Sequence, residues 1–181
     1  MFERPSRDQI FVMFGMIIAI LFIFAYCIVG YLYFNFTIPV IYTAEDRISF
    51  TIQWLALPIM TLLYGVFSAS QARFLDKSAI NGGSPAKNNY LDILTRYNQN
   101  TTEQLLLFSF TLLHFSLIIP KEFLSIIPGA CILFCIGRAT FHIGSLKFIL
   151  LRSFGYALTF LPTLTLLSHN IMQLFFPAPL Q

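Results

Sequence analysis

Five apolar runs alternate with short polar stretches along the chain. Ile10 to Phe36 is almost wholly apolar and follows the polar start MFERPSRDQ. A cleaved signal has an apolar core of only about 7–15 residues, so this run predicts a spanning helix or signal anchor. After the turn NFTIPVIYTAEDR, Ile48 to Ala72 runs without charge. It exceeds the roughly 20 residues that cross a bilayer, and Pro58 is expected to kink it. The third run extends from near Asn100 to Ile119 and is stopped by Pro120, the fourth from Phe123 to Leu146, and the fifth from Ser153 to Phe176 with Pro162 inside it. Residues 73–99 form a hydrophilic loop, loosened by Gly82, Gly83 and Pro85 and long enough to cover a site. Lys121 and Glu122 make a tight turn, and residues 147–152 a basic one. The expected fold is an all-α membrane protein with five transmembrane helices.

Within this pattern Leu91 to Gln104, LDILTRYNQNTTEQ, is a polar run that leads directly into an apolar span. Arg96, Asn100 and Glu103 share one face of it if it is helical. Polar groups at the mouth of a bilayer helix are costly without partners. Five spans put Arg4, Arg7, Arg73, Lys77, Lys87, Arg96, Lys147 and Arg152 on one side and only Arg47 and Lys121 on the other. The positive-inside rule then places the N-terminus in the cytoplasm and the C-terminus on the lumenal or outer side.

Composition agrees with this picture. The chain is 57% hydrophobic and 10% charged, with mean hydropathy +0.74 and 21 Phe, where a soluble domain carries about 25% charged residues. The formal net charge of +3 offers no nucleic-acid surface. Cys27, Cys131 and Cys135 make neither a zinc pattern nor a favourable disulfide and read as small apolar fillers. His114, His142 and His169 lack ligand spacing and read as packing residues, so no metal is expected. Asn35-Phe36-Thr37 has the form of a glycosylation sequon close to the membrane.

Four groups are expected near the cytoplasmic mouth: Arg73 at the end of the second span, Asn100 with Glu103 at the start of the third, Arg138 inside the fourth, and Arg152 with Ser153 at the start of the fifth. Arg138 lies about eight residues, or roughly 12 Å, from the helix end. That depth calls for a carboxylate partner, and Glu103 is the acidic residue at its level. Simpler readings stand beside this one. Asn100-Thr-Thr-Glu103 has the form of a capping box, Arg138 suits a structural ion pair between spans, and Arg73 and Arg152 suit anchoring beside anionic headgroups. Taken together, three cations around one carboxylate suit an anionic ligand.

These residues resemble the MAPEG superfamily, the membrane-associated proteins in eicosanoid and glutathione metabolism. QAR at 71–73, TRYNQNTTEQ at 95–104, IGRATFHIGS at 136–145 and RSFGYALTFLP at 152–162 are similar to that family's helix motifs, in its order and spacing. The resemblance implies a four-helix domain over residues 48–181, with residues 1–47 as an added N-terminal segment, helix and loop. It implies homotrimers binding glutathione between subunits near the cytoplasmic face. Arg152 would stabilise the glutathione thiolate, and Arg73, Arg96, Asn100, Glu103, Arg138, Ser153 and Tyr156 would hold the rest of the ligand. A nearby cation does lower a thiol pKa from its usual value of about 8.5. The sequence departs from the pattern at Gln99, Phe141 and Ser145 and in its extra helix. The extra helix resembles the five-span mattrin-like branch, which is associated with secretory granules and membrane receptors.

Two functions follow from different classes. One is a glutathione transferase or peroxidase acting on lipophilic electrophiles from the bilayer of the endoplasmic reticulum or another endomembrane. The other is a non-catalytic MAPEG-like scaffold or regulator with membrane lipid and a membrane-protein partner. A transporter would need more polar positions along the spans and discontinuous helices.

Overall fold

The computed structural model describes residues 6–33, 43–75 and 89–176. The sequon at Asn35, the stretch 76–88 of the hydrophilic loop, Arg4, Lys77, Lys87 and the tail from Pro177 lie outside the described residues. The elements are α1 (Arg7–Tyr33), α2 (Ala44–Leu75), α3 (Asn89–Ile118), a single 3-10 turn (Lys121–Phe123), α4 (Ile126–Lys147) and α5 (Ile149–Phe175). All five α-helices are long and apolar enough to cross a membrane, as expected.

Two boundaries differ from expectation. Helix α3 begins at Asn89, well upstream of Asn100. The polar run is therefore helix interior, and Asn100–Glu103 caps nothing. The basic turn at 147–152 shrinks to Phe148 alone, because Gly144 lets the start of α5 fold directly back on α4. Capping boxes do occur, at positions the apolar pattern did not flag. Ser6 and Gln9 exchange side-chain-to-backbone bonds at the start of α1, and Thr43 and Asp46 do so at the start of α2.

Helices α2 to α5 enclose the core. Phe50 and Leu55, Phe108 and Leu112, and Ile127 and Phe134 interlock from α2, α3 and α4 respectively, and the Phe108 and Phe134 ring centroids lie 4.8 Å apart. Gly65 lets α3 close on α2: a Cβ there would strike Asn98 and Tyr97. In return Asn98 Nδ2 donates to the Gly65 carbonyl at 3.0 Å and the Tyr97 hydroxyl to the Thr61 carbonyl at 3.1 Å.

Helix α1 lies outside this core, against α5. Gly15 sits directly over Ser153 and the Leu150 carbonyl, Phe22 meets Phe154 edge to face at 5.7 Å, and the Tyr26 hydroxyl donates to the Gly129 carbonyl at 2.9 Å. Ala19 is buried against Leu133, Ala157 and Leu158, and the outer face of α1 stays exposed, from Phe11 and Met13 through Phe24 and Leu32, as a lipid-facing helix requires. Cys27, expected as a filler, is exposed on it, while Cys131 is buried. His114 is likewise exposed, whereas His169 does pack, edge to face with Phe115 at 5.6 Å.

At the other end of the bundle Arg47 closes α3. Its Nη1 donates to the carbonyls of Ser116 at 2.9 Å and Ile119 at 2.6 Å, the carbonyls that the last helical turn leaves without donors. Arg47→Ala is expected to cost about 1.5–3 kcal/mol, the range for bonds to a charged donor. Unfolding in mixed micelles would measure it, and Arg47→Lys, with one ammonium for two carbonyls, should recover only part.

Candidate functional site

Arg138 is the centre of the polar interior. It is 0% exposed. Its Nη1 donates to Asn100 Oδ1 at 2.8 Å and its Nη2 to the Thr159 hydroxyl. The guanidinium carbon lies 4.8 Å from the Phe141 ring centroid and 5.6 Å from that of Phe134. One buried cation thus ties α3, α4 and α5 together, with aromatic faces supplying the remaining electrostatic support.

The expected carboxylate partner is not used. Glu103 is exposed, and Gln99 Nε2 donates to its Oε1 at 3.3 Å. The reason is helical phase. The buried stripe of α3 passes through Leu94, Tyr97, Thr101, Phe108 and Leu112. Asn100 sits at the edge of that stripe, and three more residues of rotation, at about 100° each, carry Glu103 to the outer face.

The α4–α5 seam sets the position of Thr159. A Cβ on Gly155 would strike the Phe141 backbone, one on Gly144 the backbone of Arg152, and one on Gly137 the Thr159 methyl group at 2.7 Å. These glycines bring the two helices into backbone contact, as small residues do in membranes. Thr159 was not anticipated. Its available signal is the spacing Gly155, Thr159, Thr163, which puts small and hydroxyl side chains on one stripe of an otherwise apolar helix.

The remaining expected site residues divide into two groups. Ser153 is buried under Gly15, with its Oγ donating to the Leu150 carbonyl at 2.9 Å. Arg73, Arg96 and Arg152 are exposed, and the half-buried Tyr156 stacks on Phe160 at 5.5 Å. Arg138, Asn100 and Thr159 therefore form a closed knot, while the other cations stand free of it at the same end of the bundle. Ser145 is half-buried and donates to the Phe141 carbonyl of its own helix at 2.8 Å. On the outer face of α3, Gln99, Thr102, Glu103, Leu106 and Leu107 line a shallow open groove of ≈ 510 Å³. Among the described residues no three His, Cys, Asp or Glu side chains gather as a metal site.

Comparison with known proteins bears on this arrangement. A model described as the MAPEG family matches residues 48–172, which takes in α2 to α5 almost entirely. Transmembrane protein 79 of Mus musculus is 26% identical over 168 residues, covering 90% of this chain and 41% of the mouse protein. The Bos taurus protein of the same name is 25% identical over 154 residues, covering 83% of this chain and 38% of its own length. The chain thus spans about two fifths of the length of these curated relatives. They represent the mattrin-like branch that the extra helix suggested. No solved structure matches.

Proposed function

The chain belongs to the MAPEG family, and from that premise we propose that it binds glutathione between protomers of a homotrimer, near the cytoplasmic ends of α3 and α5. It is an integral multi-pass membrane protein, so the ligand's charged part must meet polar groups at the bilayer surface. The observation that carries the reading is the uncovered pair of faces at one end of a single protomer. The α3 groove presents Gln99, Thr102 and Glu103, and α5 presents the exposed Arg152 with Tyr156 one turn on. Polar faces on membrane helices need a partner, and a second copy plus an anionic tripeptide supplies one for each. In this reading Arg152 is the cation beside the thiol, with Arg73 and Arg96 beside the carboxylates.

The geometry of this chain favours binding without turnover, the scaffold or regulator reading. Ser153 is covered by α1, Phe141 packs on Arg138, and the Ser145 hydroxyl is engaged by the Phe141 carbonyl of its own helix. A thermal-shift titration of the purified protein with glutathione and S-hexylglutathione tests both points. Ligand at a hundredfold its Kd adds about 2.7 kcal/mol of stability, and Arg152→Ala is expected to weaken binding about 10-fold or more, the loss of one charge-assisted bond. No shift with either ligand would remove the glutathione reading. A shift together with conjugation of a generic electrophile would make the protein an enzyme and remove the scaffold reading.

A further inference from the structure

A second polar spot opens on the lipid-facing side of the bundle, between α2 and α4. Tyr64 on α2 is 51% exposed. Its hydroxyl lies 3.3 Å from His142 Nε2 on α4, and the two rings meet edge to face at 5.4 Å. Behind them Tyr97 closes on the His142 ring at 4.9 Å. His142 is only 8% exposed, and its Nδ1 has no hydrogen-bond partner among the described residues. The surroundings on the open side are apolar: Met60, Leu63 and Phe67 on α2 and Ile143 on α4 are all exposed.

Neither tautomer of His142 satisfies this pair by itself. If Tyr64 donates to Nε2, the ring proton sits on Nδ1, which is a buried N–H without an acceptor. If Nε2–H donates to Tyr64, Nδ1 is a bare acceptor and the phenol proton is left to point outward. The Nδ1–H of the first arrangement is buried beyond the reach of any added group, whereas the O–H of the second faces the open side, where an acceptor oxygen can come from outside in place of the water that hydrocarbon excludes. The second arrangement completed by such an acceptor leaves only Nδ1 unmet.

We propose that the Tyr64–His142 pair is a binding site for a neutral lipid carrying a hydroxyl or carbonyl oxygen, held in the seam between α2 and α4. The oxygen accepts from the Tyr64 hydroxyl, and the apolar body lies along Met60, Phe67 and Ile143. The lining selects the class. Met60, Phe67 and Ile143 offer no partner for a zwitterionic or charged head, whereas a single hydroxyl or carbonyl oxygen needs only the Tyr64 O–H.

The test uses the full-length protein in phospholipid nanodiscs with a photoreactive sterol alcohol as the probe, and peptide mapping of the adducts. Adducts are expected on α2 around residues 60–67 or on α4 around 139–146. The unlabelled sterol alcohol should compete, and the matching oxygen-free sterane should not. Tyr64→Phe keeps the ring and packing but removes the O–H, and is expected to lower labelling about fivefold, the worth of one hydrogen bond of about 1 kcal/mol. Phe24→Leu on α1, an exposed apolar position outside the α2–α4 seam, should retain it in full. The proposal is overturned by adducts elsewhere only, by equal labelling of Tyr64→Phe, or by equal competition from the sterane.

Discussion

Asn100→Leu is expected to destabilise the bundle more than removal of the charge it serves. Asn100 Oδ1 is the acceptor for Arg138 Nη1, and the Arg138 Nε has no partner among the described residues. Taking the amide away leaves a fully buried guanidinium with only the Thr159 hydroxyl and two aromatic faces. Stripping one partner from a buried charge costs about 3–5 kcal/mol, whereas replacing the charge by an apolar side chain of similar volume is often close to neutral. Arg138→Met should therefore cost less, about 1–3 kcal/mol, chiefly from the unpaired Asn100 oxygen. The Thr159 hydroxyl keeps its own acceptor, the Tyr156 carbonyl, at 3.0 Å. The double variant Asn100→Leu with Arg138→Met should be more stable than Asn100→Leu alone. Unfolding in mixed micelles gives all three values. If Asn100→Leu turns out the mildest of them, the buried knot is not what joins α3, α4 and α5.

The same knot shows how much was legible beforehand. The five helices follow from apolar runs that no competing pattern imitates, and Arg138 is conspicuous as a cation deep in one of them. Its partner was not legible, because the choice between Asn100 and Glu103 depends on the phase of α3, and phase depends on where the helix packs. The polar stretch 91–99 reads as surface, yet Leu91, Leu94 and Tyr97 are buried against α2 and α4. Three well-spaced apolar residues among polar ones were enough to extend the helix by a further three turns. Ser153 illustrates a second limit. Its neighbour on α1, Gly15, is distant in sequence, and only tertiary contact reveals that the hydroxyl is covered. Which glycines touch backbone across the α4–α5 seam likewise needed the fold.

Gly144→Ala and Gly155→Ala should be the most damaging conservative changes in α4 and α5. At Gly144 the added methyl meets the Arg152 nitrogen and Cα and the carbonyl carbon of Leu151. At Gly155 it meets the Phe141 nitrogen and the Gly137 oxygen. These are backbone atoms, so no rotamer change relieves the contact and the helices must part. Overpacking of a close-packed interior costs about 1–3 kcal/mol, occasionally more, and here the displaced backbone carries Arg152 and lies one turn from Thr159. Both variants should accordingly lose stability and weaken the Arg138–Thr159 bond, so that Arg138→Met becomes less costly in either background. Gly129→Ala is the internal control. Its methyl would meet only the Tyr26 ring and hydroxyl at 3.8–3.9 Å, an ordinary contact, and Ala is favoured over Gly within a helix by about 0.5–1 kcal/mol. Gly129→Ala should therefore be neutral or slightly stabilising in the same micelle assay. Equal gains at all three glycines would mean that helix propensity, and not the α4–α5 seam, governs these positions.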